Sequence, residues 1–140
     1  MKKLLLITLS ALLLPACSDK NQFSQAVLEQ MQQEQDVKDY KIEPEAMANC
    51  VVNTTEKGMP GFFVFDPYRL SAYRNYTKML TLAKSPDPKK TLAELNVEFG
   101  SGKKMAEAHS NYTESILECL DAVMPQHPGD AEKEQKNKLF

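Results

Sequence analysis

The chain has 140 residues, 17 basic and 19 acidic, with 42% apolar residues, no tryptophan and three cysteines. That length suits one ordinary domain with a single core. The near-balanced, slightly acidic charge argues against nucleic acid as a partner, because a phosphate backbone calls for a basic face.

In chain order, the first element is Met1-Lys2-Lys3 followed by an apolar run from Leu4 to Leu14, with only Thr8 and Ser10 as weak interruptions. A helix needs about 20 apolar residues to span a hydrocarbon core, so this shorter run predicts an export signal and not a membrane anchor. Leu14-Pro15-Ala16-Cys17 closes it, with a cysteine after a small residue. That ending resembles the lipobox of bacterial lipoproteins. The resemblance implies cleavage before Cys17, a diacylglycerol thioether on its sulfur, and acylation (palmitate or a similar chain) of the new amino terminus. Pro15 departs from the pattern, which has Ala, Ser, Thr, Val or Ile two places before the cysteine. Its fixed φ and missing N–H predict slower processing. In the sorting rule of enteric-type lipoproteins, Asp directly after the cysteine retains the protein in the inner membrane. Ser18 occupies that place and Asp19 comes one residue too late, so the resemblance implies the outer membrane, periplasmic face. Residues 17–140 carry fifteen basic against nineteen acidic side chains, a net charge of −4. Attachment to anionic lipid then falls to the acyl chains, each buried methylene contributing about 0.8 kcal/mol.

Residues 17–22 read as a lipidated end and short linker, and 23–124 as the folded domain. Asn21 to Tyr40 lacks Gly and Pro, and Phe23, Ala26, Val27, Met31, Val37 and Tyr40 fall at helical spacing. The stripe is thin, predicting a helix that packs on one narrow face or serves partly as a stalk. Glu43-Pro44-Glu45 starts a second helix and Lys57-Gly58 ends it. Ala46, Met47, Cys50, Val51 and Thr54 form its expected inner face. Met59-Pro60-Gly61 is a turn. Phe62-Phe63-Val64-Phe65 has no second strand to pair with, so it predicts an extended, buried connector. Asp66-Pro67 caps and opens a third helix, with Leu70, Tyr73, Tyr76, Thr77, Leu80 and Ala83 along one side. Asp87-Pro88 repeats the start for a short fourth helix, with Leu92, Leu95 and Phe99 inward and Gly100 as stop. From about Gly102 to Met124, the residues Met105, His109, Tyr112, Ile116, Cys119 and Val123 step by four and three along one seam. Pro125 ends it, and residues 125–140 are too polar to bury much, predicting a disordered tail. No βαβ pattern or strand alternation occurs. The fold class is all-α, a small bundle of four or five helices.

With Cys17 committed to lipid, Cys50 and Cys119 are the one remaining pair. An oxidising compartment favours a disulfide between them, the alternative being two separate buried thiols. Neither sits in a Cys-x-x-Cys or beside a basic residue in sequence, so a catalytic thiol is not expected. The segments Ala72–Thr77 and Ala108–Thr113 agree at four of six positions, but their flanks do not continue the match, so chance explains the echo.

No motif carries catalysis. His109 reads as a buried or half-buried seam residue, His127 lies in the tail, and two isolated histidines supply no zinc site. Glu94 with Glu98, and Glu114 with Glu118, read as solvated helix faces. The Asn-x-Thr triplets at Asn53, Asn75 and Asn111 are coincidental in a bacterial lipoprotein. The aromatic group Phe62, Phe63, Phe65, Tyr68, Tyr73 and Tyr76 has an ordinary reading as core bulk. Its functional reading is a groove for a peptide or partner helix, with Tyr68 and Arg69 as first contacts and Phe62 and Phe63 beside them. The sequence therefore predicts a non-enzymatic module, without cofactor or metal, that is held by lipid and binds another envelope protein. In size and build it is similar to secretin pilotins and to small periplasmic immunity lipoproteins, on architecture and not on shared motifs. The alternative is a small-molecule or lipid carrier with an apolar cavity between its helices.

Overall fold

The computed structural model describes residues 14–124; the apolar run before Leu14 that is read above as an export signal, and residues 125–140 that are read as a disordered tail, with His127, lie outside them. Among the described residues the chain is all-α, as its periodicity predicts. It comprises α1 (Leu14–Gln33), α2 (Gln35–Asp39), α3 (Pro44–Gly58), α4 (Pro67–Leu80), a 3₁₀ turn (Leu82–Lys84), α5 (Pro88–Glu98) and α6 (Gly102–Val123). None of these helices is long and apolar enough to cross a membrane.

The starts follow local chemistry. Asp66 accepts a hydrogen bond from Tyr68 N at 2.9 Å, Asp87 from Lys90 N at 3.0 Å, and Ser101 from Lys104 N at 3.2 Å. Each satisfies a donor that the first helical turn leaves without an intrahelical partner. Pro67 and Pro88 occupy first-turn positions, where the missing N–H costs nothing. Gly100, at φ +91°, separates α5 from α6.

One long helix was expected over residues 21–40, but it breaks at Glu34, whose ψ of 127° is extended. The break raises the count to six helices and folds Val37 and Ile42 over the end of the core, both buried. Tyr40, expected on the inner stripe, is exposed instead. The N-terminal part of α1 takes in residues 18–22, the segment read as linker. Its stripe is no stalk: Phe23, Val27 and Met31 are fully buried between α3 and α4.

The central helix is α3, packed on α1 along one side and on α6 along the other. Two covered sides explain why Met47, Ala48, Val51, Val52 and Thr55 are all buried while Ala46 is exposed. The Cys50–Cys119 disulfide joins α3 to α6 at a Cα separation of 5.8 Å, within the range a bridge requires. On α6 the buried face is Ala108, Tyr112, Ser115, Cys119 and Leu120. That face is rotated from the expected seam, and His109 is exposed, not a seam residue. Alanine and serine at 108 and 115 do not register as apolar anchors in a sequence pattern, yet both are buried. On α4, Ala72, Tyr73, Tyr76 and Met79 turn inward, whereas Ala83 lies in the 3₁₀ turn and is exposed. On α5 only Leu95 is fully buried; Leu92, expected inward, is exposed. Phe23 sits at the aromatic centre, 5.8 Å from Tyr73 and 5.9 Å from Tyr76 between ring centroids. Tyr76 continues edge-on to Phe99 at 6.0 Å.

Candidate functional site

The connector from α3 to α4 is not buried. Phe62 is 99% exposed, Phe63 62% and Phe65 52%, with Val64 also in solvent. The expectation failed because this loop caps one end of the bundle, where no other described element covers it. Burial of an apolar run needs a second surface, and sequence periodicity does not report whether one exists.

The loop is nonetheless tightly held. Asp66, itself buried, accepts from Phe62 N at 3.1 Å as well as from Tyr68 N. The Arg69 guanidinium donates to the backbone carbonyl of Glu56 and, at 2.6 Å, to that of Gly61. Gly61 has φ +92°, and a Cβ there would stand 2.7 Å from Arg69 N. Gly61→Ala is therefore expected to lower stability by about 1–3 kcal/mol through backbone strain and the clash. A shift of the urea midpoint measures it, with circular dichroism confirming that the bundle still forms. Asp66→Ala, which removes a cap and leaves Phe62 N without its acceptor, is expected to cost about 1–2 kcal/mol by the same measurement.

Beneath the loop lies a polar hub. Glu56 Oε1 accepts from Tyr73 OH at 2.9 Å and pairs with Lys20 Nζ at 2.8 Å. Burial, then the Glu56 carboxylate, pushes the Tyr73 phenol well above its usual range, so Tyr73 serves as a protonated donor. Asp19 pairs with Arg74 at 2.5 Å. These contacts tie the N-terminal turns of α1 to the end of α3 and the first half of α4. Sequence reasoning missed Glu56 altogether, since an isolated Glu in a helix ordinarily reads as surface.

Beside the loop, a cleft of about 480 Å³ runs between α4 and α6 with the end of α5 at its base. Its facing walls are the two echoed segments: Ala72, Asn75 and Tyr76 on one side, Ala108 and Asn111 on the other. The short alanines leave the space open. Asn111 Nδ2 closes its floor, donating to Tyr76 OH and to Thr55 O, each at 3.0 Å. Tyr68, 74% exposed, stands on the rim where cleft and loop meet, with Glu98, Lys104 and Glu107 around the rest.

Of the residues singled out in sequence, Phe62, Phe63 and Tyr68 share one exposed end of the molecule. Arg69 lies beside them, with its guanidinium engaged by backbone carbonyls as a brace. Tyr73 and Tyr76 belong to the core. Glu94 and Glu118 approach lysines on the surface, Lys90 at 4.0 Å and Lys57 at 3.8 Å. Glu98 pairs with Lys78 at 2.5 Å, and Ser110 Oγ donates to Glu114 at 2.8 Å. Among the described residues no three His, Cys, Asp or Glu side chains gather closely enough to hold a metal ion. No family model matches the chain, and no curated protein or solved structure matches it either.

Proposed function

We propose that this protein is a lipoprotein held by acyl groups on Cys17 to the periplasmic face of the outer membrane, where it binds another envelope protein without catalysis. The anchor rests on the basic start, the short apolar run and the Leu-Pro-Ala-Cys ending. The observation that carries the binding role is the cleft between α4 and α6 with Tyr68 on its rim. Tyrosine combines a large apolar ring with a hydroxyl that tolerates water, which suits a surface covered and uncovered in turn. The cleft's open side and charged rim favour a protein segment over an enclosed lipid as occupant.

Incorporation of a photo-reactive phenylalanine analogue tests this reading in intact cells. At position 68 it is expected to yield one discrete crosslinked envelope protein, identified by mass spectrometry. At position 40, exposed at the C-terminal end of α2, it is expected to yield none. The same products from both positions, or none from position 68, would exclude the cleft as a binding surface.

A further inference from the structure

We infer that the aromatic loop is a membrane-seating tip: Phe62, Phe63 and Phe65 enter the headgroup region of the bilayer that holds the acyl chains of Cys17. The domain is then docked on the membrane by its end and not tethered above it. The inference rests on the lipid-anchor reading given above, and three observations carry it.

The first is chemistry. From Gly58 to Phe65 (Gly-Met-Pro-Gly-Phe-Phe-Val-Phe) no side chain bears a charge, hydroxyl or amide. A protein interface normally pairs polar groups around its aromatic anchors. A surface of phenyl rings with no hydrogen-bonding side chain between them suits the boundary of headgroups and acyl chains, where apolar anchors enter lipid. Tyr68, just behind the phenylalanines, has the amphipathic ring found at that boundary.

The second is rigidity. A slack loop would fold its phenyl rings against the bundle. Here Asp66, Arg69 and the left-handed Gly61 hold the backbone in a shape that keeps them outside. Contiguous exposed apolar surface of this kind marks a contact site.

The third is position. Lys20 follows Cys17 by three residues, about 4.5 Å of helical rise. Its ammonium meets Glu56, whose carbonyl receives Arg69, which in turn grips Gly61 next to Phe62. Asp19 reaches Arg74 on α4. The lipid-bearing end of α1 and the aromatic loop therefore occupy the same end of the bundle, so acyl chains entering a bilayer from Cys17 bring Phe62 and Phe63 to its surface. The cleft beside Tyr68 is then presented close to the membrane, to a partner that is itself membrane-proximal.

The absence of tryptophan makes the test clean. Phe63→Trp and, as control, Tyr40→Trp are purified from membranes as the acylated full-length mature protein and reconstituted in phosphatidylethanolamine–phosphatidylglycerol vesicles. Brominated acyl chains are expected to remove most of the Phe63→Trp fluorescence and leave Tyr40→Trp unchanged, while iodide in the aqueous phase does the reverse. Equal bromine quenching at the two positions would overturn the inference. Protection of Phe63→Trp from both quenchers would also overturn it, showing the tip covered by protein, such as a second copy. The mass of the same preparation reports on Cys17 separately: an acylated protein with an unquenched tip refutes the docking alone, whereas an unmodified Cys17 refutes the anchor and the docking with it.

Discussion

Reduction of the disulfide between Cys50 and Cys119 is expected to lower the melting temperature of the domain by roughly 15–30 °C. The bond closes a segment of 69 residues, and in the chain-entropy model a loop of that size constrains the unfolded chain by about 4 kcal/mol. A domain near 100 residues shifts by about 4–8 °C per kcal/mol. Since the whole stability of such a domain is on the order of 5–15 kcal/mol, the bridge is a large share of it. Cys50→Ser and Cys119→Ser should fall together, because each removes the same bond. The Cys119 side is fully buried, but Thr54 Oγ1 lies 3.6 Å from its sulfur, so a serine hydroxyl there has a partner at hand. The double substitution should add little beyond either single one. Scanning calorimetry with and without reductant measures the shift, and a change of only a few degrees would mean that α3 and α6 hold together without the bond.

Raising the pH above 10 is expected to unfold the protein cooperatively. Burial pushes the phenols of Tyr73, Tyr76 and Tyr112 up from their ordinary range, with Glu56 adding to the effect at Tyr73 and Glu34 at Tyr112. In the unfolded chain these phenols ionise near pH 10, while in the folded one they keep their protons longer. Above pH 10 the unfolded state therefore binds fewer protons, and stability falls as pH rises. The stabilisation is fully present below pH 10 and is lost as the pH climbs toward the folded-state values. Each phenol contributes a slope of at most about 1.4 kcal/mol per pH unit, so the three together stay below roughly 4 kcal/mol per pH unit. Circular dichroism against pH should show a steep loss of helix, and Tyr112→Phe, which deletes one of the three ionisations, should lower the slope by about a third. A slope unchanged by that substitution would show that Tyr112 ionises alike in the folded and unfolded chains.

Much of the local structure was legible in the sequence because its causes are local. Asp66-Pro67 and Asp87-Pro88 start their helices with the aspartate oxygens on nearby backbone N–H groups, a contact that needs nothing beyond the first turn. Gly100, in the left-handed region, separates α5 from α6 for an equally local reason, whereas Gly58 is the last residue of α3 with Met59 as its cap, and a Cβ there would clash with the Asn111 side chain of α6. The Cys50–Cys119 pairing was legible by parity once Cys17 was set aside for lipid. The periods of α1, α3 and α6 were legible as helix. Their buried faces were read less well: α3 turned out to have two covered sides, and α6 is rotated so that Ala108 and Ser115 face inward while His109 faces out.

The sequence by itself determined an all-α chain with these helix starts and stops, one cysteine pair, and an end that resembles a lipoprotein signal. It also determined that Gly58 to Phe65 carries no polar side chain. Only the tertiary structure decided what that stretch does, because an apolar segment is buried or exposed according to whether another surface meets it. Here the stretch falls at the end of the bundle beside the first turns of α1, with Asp66 and Arg69 holding its rings outward. The cleft likewise arises from two alanines on separate helices that face each other across a gap, and Glu56 becomes a hub because Lys20, Arg69 and Tyr73 reach it from other elements. Such relations join residues tens of positions apart, and packing sets them where no local rule of spacing or capping can.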